Sequence, residues 1–364
     1  MKEALLYERG AASEVRCLLC AHRCLIPPGR PGICQVRSNV GGTLYTTVYG
    51  RLVAAHVDPI EKKPLYHFLP GTHAYSIATA GCNFRCRWCQ NWSISQMTAE
   101  RGGVEVEEAS AEEVVRAARA SGCASIAYTY TEPTVFLEFA LDTARTAREA
   151  GLMNSFVTNG FMTAAALDLI TPHLDAANVD LKAFNEDTYR TCCGGRLAPV
   201  LDSLRRMKGS GIWVEVTTLL VQGINDSSSE LARIADFLVE ELGPETPWHI
   251  SRSHPAYEMG SLTPTPLPRL EEALRIGRHA GLHHVYVGNA SMETPTVCAT
   301  CGTVLIRRER FEVIARVLTA AGSCPRCGAP LAGKGLEWGG DGPTPAPYAD
   351  HAEGGGCVAD SATS

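Results

Sequence analysis

Between residues 73 and 290 the chain alternates short β-rich runs with amphipathic stretches of helical period, and this alternation most constrains what it can fold into. Parallel strands need a crossover between them, usually a helix, so the pattern predicts a series of βα units. The runs lie at 73–78, 125–130, 154–158, 177–181, 213–220, 248–251 and 284–287. Ser110 and Glu113 have capping-box spacing ahead of a helix through about Ser121. A second helix runs from about Thr134 to Gly151, and Thr163 is placed to cap a third that Pro172 stops. Later helices end near Gly243 and Gly281. The count predicts an α/β fold with a full or partial (β/α) barrel, and a doubly wound open sheet is the alternative. Both put function at the C-terminal ends of the strands.

Fifteen cysteines are too few for a small disulfide scaffold, and their grouping is what matters. Cys17, Cys20, Cys24 and Cys34 form one set, Cys82, Cys86 and Cys89 a second, and Cys298, Cys301, Cys324 and Cys327 a third. The start of the chain lacks the apolar core of a signal peptide, and no apolar stretch is long enough to span a membrane. A soluble, cytoplasmic protein is expected, and in a reducing compartment such thiol groups mean metal. Lys plus Arg number 33 against 39 Asp plus Glu, a formal charge of −6, so nucleic acid is not favoured as a partner. The expected division is an N-terminal arm with a four-cysteine metal module (1–72), the barrel (73–290), a zinc-ribbon module (291–338) and a disordered tail (339–364) that contains Cys357.

Cys82, Cys86 and Cys89 crowd three thiols into one loop directly after a strand. Three close thiolates can hold three irons of a cubane and leave the fourth open, as catalytic sites do. A structural zinc completed by His73 or a remote cysteine is the alternative. With Trp88 just before the last cysteine, the spacing resembles the cluster motif of the radical S-adenosylmethionine (radical SAM) superfamily. The run from Asp58 to Gly71, and Gln90, Asn91 and Trp92 after the motif, resemble the AmmeMemoRadiSam system radical SAM enzymes, relatives of the pyruvate formate-lyase activating enzymes. The likeness extends from the N-terminal cysteines through residues 286–289 into the C-terminal cysteine module.

The resemblance implies a 4Fe–4S cluster held by Cys82, Cys86 and Cys89, with S-adenosylmethionine on its open iron. One electron then yields a 5′-deoxyadenosyl radical that abstracts hydrogen from a substrate. It further implies a protein substrate, as in glycyl-radical activation, with Amme-type and Memo-type proteins and an electron donor as partners and no membrane. Radical modification of RNA or a small molecule is the alternative within this class. Outside it stands a non-catalytic, metal-rich electron-transfer or interaction protein.

Other site residues come from the same resemblance. Glu132 ends a strand where the superfamily often has Gly-Gly-Glu contacting the methionyl amine, with Tyr130 and Thr131 in place of the glycines. Asn178, Asp180 and Lys182 share one face at period two, and Asp180-Leu181-Lys182 resembles an activating-enzyme signature; a buried ion pair at the rim is the alternative. His254 resembles an activating-enzyme histidine, while His249 reads equally as a satisfied core residue. The loops at residues 158–160 and 222–225 also follow strands. The N-terminal four thiols read as a closed site for zinc or a second iron–sulfur cluster, with His22 a bystander. The paired C-terminal knuckles read as a zinc ribbon that stabilises the chain; docking a protein or nucleic acid through Arg307, Arg308 and Arg310 is the alternative. Cys123, Cys192 and Cys193 are expected to be ordinary thiols, with redox activity of the adjacent pair the alternative.

Overall fold

The structure is a computed structural model and describes residues 1–96 and 105–337. Its central sheet contains β1 (Arg51–Pro59), β2 (His73–Thr79), β3 (Ser125–Tyr128), β4 (Met153–Thr158), β5 (Ala176–Asp180), β6 (Trp213–Leu220), β7 (Trp248–Arg252) and β8 (Val285–Gly288). Strands β2 to β8 are parallel and neighbour one another in chain order. A doubly wound sheet reverses its order at a switch point, and this one never does. The result is an open, partial barrel. β1 adds antiparallel to β2, and the two-residue strand Glu107–Glu108 pairs with its outer edge. β1 therefore belongs to the sheet although the division at residue 72 leaves it in the arm; its mixed burial gives no period-two signal to read.

The crossover helices start and stop where local chemistry directs. Ser110 and Glu113 form both bonds of the capping box at the start of α1 (Ala111–Ala120), which buries Val114, Val115 and Ala118. Thr163 Oγ1 accepts from Ala166 N–H at 3.2 Å to open α3 (Ala164–Ile170), after α2 (Leu137–Glu149). Pro172 lies in the 3-10 turn that ends α3. The remaining helices are α4 (Leu197–Gly209), α5 (Ser228–Phe237) and α6 (Leu267–His279). The main core, with Tyr128, Phe139, Phe156 and Trp248, fills the space between them and the sheet.

The barrel floor is closed by the chain itself. Ile60, Leu65, Phe68 and Leu69 pack beneath Ala74, Ala127 and Ala176. Inward polar side chains of the strands hold this plug by its backbone. Asn178 Nδ2 donates to Pro64 O at 2.7 Å, and the Glu215 carboxylate accepts from Tyr66 N–H and His67 N–H at 2.9 and 2.7 Å.

Two small antiparallel sheets form the N-terminal arm, which Arg37 fastens to α2 through a buried 2.8 Å ion pair with Glu138. The C-terminal module has β9 (Thr296–Val297), β10 (Val304–Glu309) and β11 (Glu312–Arg316). Arg308 is not a docking residue for a partner. It is buried, donates to Tyr66 O at 2.7 Å and Thr296 Oγ1 at 2.9 Å, and lies over the Tyr66 ring. Its alternation along β10 turns it onto the barrel floor. Among the described residues no helix is long and apolar enough to cross a membrane. The expected tail and Cys357 lie outside the described residues.

Candidate active site

The three-cysteine loop leaves β2 through Gly81, whose φ of +97° suits glycine alone. A Cβ there would sit 2.6 Å from Val36 Cγ1 and 2.9 Å from Cys34 O, so the arm presses directly on the loop. On its other side Arg85 N–H and Arg87 N–H donate to Cys193 O and Cys192 O at 2.7 and 3.0 Å. Gly195 lets this segment pass under the Phe84 ring. The Cys192–Gly195 run is thus the cradle of the loop.

Cys82, Cys86 and Cys89 line one cavity of about 400 Å³. Each of the seven parallel strands contributes to its wall: the cysteine loop, Thr129–Glu132 after β3, Val157 to Asn159 at the end of β4, Asp180 and Lys182 from β5, Thr217 and Leu219 from β6, Ser251 from β7 and Asn289 after β8. Lys62 and Lys63 reach it from below. Two buried polar atoms of the wall have no partner, Trp88 Nε1 and Thr217 Oγ1. Eight further buried atoms of this kind among the described residues lie away from this cavity.

Glu132 is buried and accepts from Thr134 N–H, Thr134 Oγ1, Thr158 Oγ1 and Asn159 N–H at 2.5–3.0 Å. Burial raises its pKa above the ordinary carboxylate value, and the four donors oppose this. Tyr130, in place of a glycine, adopts a left-handed φ of +62°, so the backbone takes the turn that glycines would allow. Its side chain swings away to Asp58, which also receives Lys62 and Lys63. Burial lowers the Lys63 pKa to about 8, and Asp58 only partly restores it.

Asp180 and Lys182 form a 2.8 Å pair at the rim. Burial opposes the lysine charge, but Asp180 and then Cys86 outweigh it and raise its pKa well above the usual value. Asn178, one layer lower on β5, is occupied by Pro64 and does not line the cavity. His254 is exposed, with Nε2 3.3 Å from Asn289 O, and is also outside the wall. His249 binds Glu215 at 2.6 Å within the floor. Sequence reasoning missed Lys62, Lys63, Asn91, Thr217 and Ser251 as wall residues; counting every second position inward along β6 and β7 would have found the last two.

The C-terminal thiols Cys298, Cys301, Cys324 and Cys327 all lie within 4.8 Å of one another, a geometry that one tetrahedral ion fits.

Residues 76–238 match the radical SAM superfamily. Over 329 residues the chain is 42% identical to the uncharacterised protein MJ0808 of Methanocaldococcus jannaschii, across 90% of this chain and 97% of that protein. The chain belongs to the radical SAM superfamily. It is also 24% identical over 166 residues to a pyruvate formate-lyase-activating enzyme of Clostridium pasteurianum, covering 43% of this chain and 66% of the relative. A domain of a pyruvate-formate lyase-activating enzyme from Bacteroides vulgatus aligns with a TM-score of 0.41 at 17% identity, over 45% of this chain and 99% of that one.

A radical SAM fold implies a 4Fe–4S cluster and S-adenosylmethionine, and the residues present fit both. The three thiols face one cavity whose lining, among the described residues, holds no fourth cysteine and no histidine. Phe84 N–H points at Cys82 Sγ (3.3 Å) and Ser95 Oγ at Cys89 Sγ (3.3 Å), the kind of hydrogen bonds that stabilise cluster thiolates.

Proposed function

We propose that this chain is a radical SAM enzyme of the activating-enzyme type, with Cys82, Cys86 and Cys89 as the cluster ligands. The observation that carries this reading is the convergence of three thiols on one cavity at the ends of all seven parallel strands. A cluster held there by Cys82, Cys86 and Cys89, with S-adenosylmethionine, would supply one-electron reductive cleavage for hydrogen-atom abstraction. The chain's own residues bind and shield. Among the described residues Glu132 Oε2 accepts from Asn159 N–H alone, which leaves it a lone pair for an ammonium proton. The Asp180–Lys182 pair offers both charges at the rim, and Val157, Phe84 and Leu219 keep part of the wall apolar against water.

The likeness to the activating enzyme of Clostridium pasteurianum and to the AmmeMemoRadiSam enzymes supports a protein as hydrogen donor, with Amme-type and Memo-type proteins as candidates. A reducing, cytoplasmic setting in which a reduced donor supplies the electron fits a chain whose thiols are grouped as metal ligands. Zinc in the C-terminal thiol group is part of the same proposal. Anaerobically reconstituted, dithionite-reduced protein is expected to form 5′-deoxyadenosine, and a Cys82→Ala, Cys86→Ala, Cys89→Ala variant to form none. Equal product from both would refute the assignment.

A further inference from the structure

We infer that Cys17, Cys20, Cys24 and Cys34 hold a second, fully ligated 4Fe–4S cluster and not a zinc ion, directly against the three-thiol loop.

The four side chains line one small void, whose remaining wall includes the apolar Leu19, Ile26 and Val135. Four thiols turned to a common point, with Cys17, Cys20 and Cys34 buried, need a shared cation or cluster to be stable as thiolates. Spacing separates the two occupants. Zinc draws four sulfurs to about 2.3 Å from a single point and therefore close to one another, whereas a cubane takes each sulfur on a different iron and holds them apart. The chain contains its own zinc-type standard: at the C-terminal module, Cys298 and Cys327 sulfurs are 3.5 Å apart and Cys301 and Cys324 sulfurs 3.6 Å, all four within 4.8 Å. Among the described residues the N-terminal four do not form such a close group, although they share a void. Cys82, Cys86 and Cys89 behave the same way, sharing a cavity without the zinc-type approach. By spacing, the N-terminal set goes with the cluster loop and not with the ribbon.

Its position gives this identity a consequence. His22 Nε2 bonds Asn83 O at 2.8 Å, next to Cys82, and Arg85 Nη2 donates to Ile33 O at 2.5 Å, next to Cys34. Cys34 O itself lies 2.9 Å from where a Gly81 Cβ would be. A layer about one residue thick separates the two thiol sets. Zinc there would only tie the arm down, while a cluster puts a one-electron centre beside a site whose chemistry starts with one electron; that consequence rests on the proposed function, the cluster's identity does not.

Metal and sulfide analysis of the full chain, reconstituted anaerobically with iron, sulfide and zinc, tests the identity without recourse to activity. The Cys82→Ala, Cys86→Ala, Cys89→Ala variant leaves the arm's thiols in place. It is expected to keep about four irons and four sulfides with about one zinc per chain, and its reduced paramagnetic signal is expected not to change when S-adenosylmethionine is added. About two zincs and no iron in this variant would overturn the inference. A parent with about eight irons supports it. If instead the parent holds about four irons and the variant loses none of them, the three-thiol reading fails and the second cluster stands.

Discussion

Glu132 commits its carboxylate to the chain: the side chain of a residue just beyond β3 receives donors from its own turn and from the end of β4, which locks two strand ends together at the site. The loop it faces is held as tightly by glycines. At Gly195 a Cβ would lie 2.3 Å from Phe84 Cε1 and 2.7 Å from Cζ, and that ring is buried between Phe161 and Tyr189 with little room to yield. Gly195→Ala is therefore expected to cost about 1–3 kcal/mol in urea unfolding, the range for overpacking a core, and to lower the iron retained by the loop. Gly209→Ala is the control, since nothing lies within 4 Å of its Cβ. At the end of α4 it is expected to be neutral or to stabilise by up to about 1 kcal/mol. Equal effects from the two substitutions would mean that the cradle does not set the loop.

The strands divide into two inward layers, and that division explains both what the sequence disclosed and what it hid. Period two puts Asn178 and Asp180 on the same face of β5, as expected, but two residues along a strand is also one layer of barrel depth. Asp180 reaches the cavity, while Asn178 joins Glu215, His249 and Tyr286 in a lower layer facing the plug. Periodicity shows the face; only the plug's path, a long-range feature, shows which depth is floor and which is site. The same floor predicts a pH response. His67 bonds Ala332 O and Tyr286 OH, and His284 packs against it with ring centroids 4.4 Å apart. Burial above all lowers their pKa values, to about 3 and about 4, from an ordinary 6.5. In the folded state both stay neutral in mild acid, whereas the unfolded chain takes up the protons. Stability is thus full above about pH 6.5 and is lost as pH falls towards 4. His284→Phe is expected to remove about 2 kcal/mol of the fall in unfolding free energy between pH 7 and pH 5. An unchanged acid limb in that variant would place the titration elsewhere.

At the scale of the whole chain, the cysteine groups were legible because thiol spacing is local, and the barrel because each βα unit carries its own caps and breakers. How the modules join was not legible, since it depends on contacts such as Arg308 with Tyr66, 242 residues apart. Those contacts make the C-terminal module part of the barrel's floor. Phe68 bridges to Lys334, His67 holds Ala332 O, and Arg308 lies beside the buried Glu61 at 3.4 Å. Glu61 is poised at a pKa of about 7, raised by burial and restrained chiefly by Arg308. Removing the guanidinium alone takes a buried donor from the Tyr66 carbonyl and leaves the Glu61 carboxyl with the Gly71 N–H but no neighbouring cation. Arg308→Met is therefore expected to cost about 3–5 kcal/mol, as one-sided removal from buried pairs does, and to expose residues 291–337 to limited proteolysis. Adding Glu61→Gln removes the stranded acid and is expected to recover part of that loss at pH 7.5, where the lone carboxyl would otherwise have to ionise or carry a proton. If Arg308→Met unfolds like the parent and its C-terminal module resists protease equally, the module is an appendage and the floor is sealed by the plug alone.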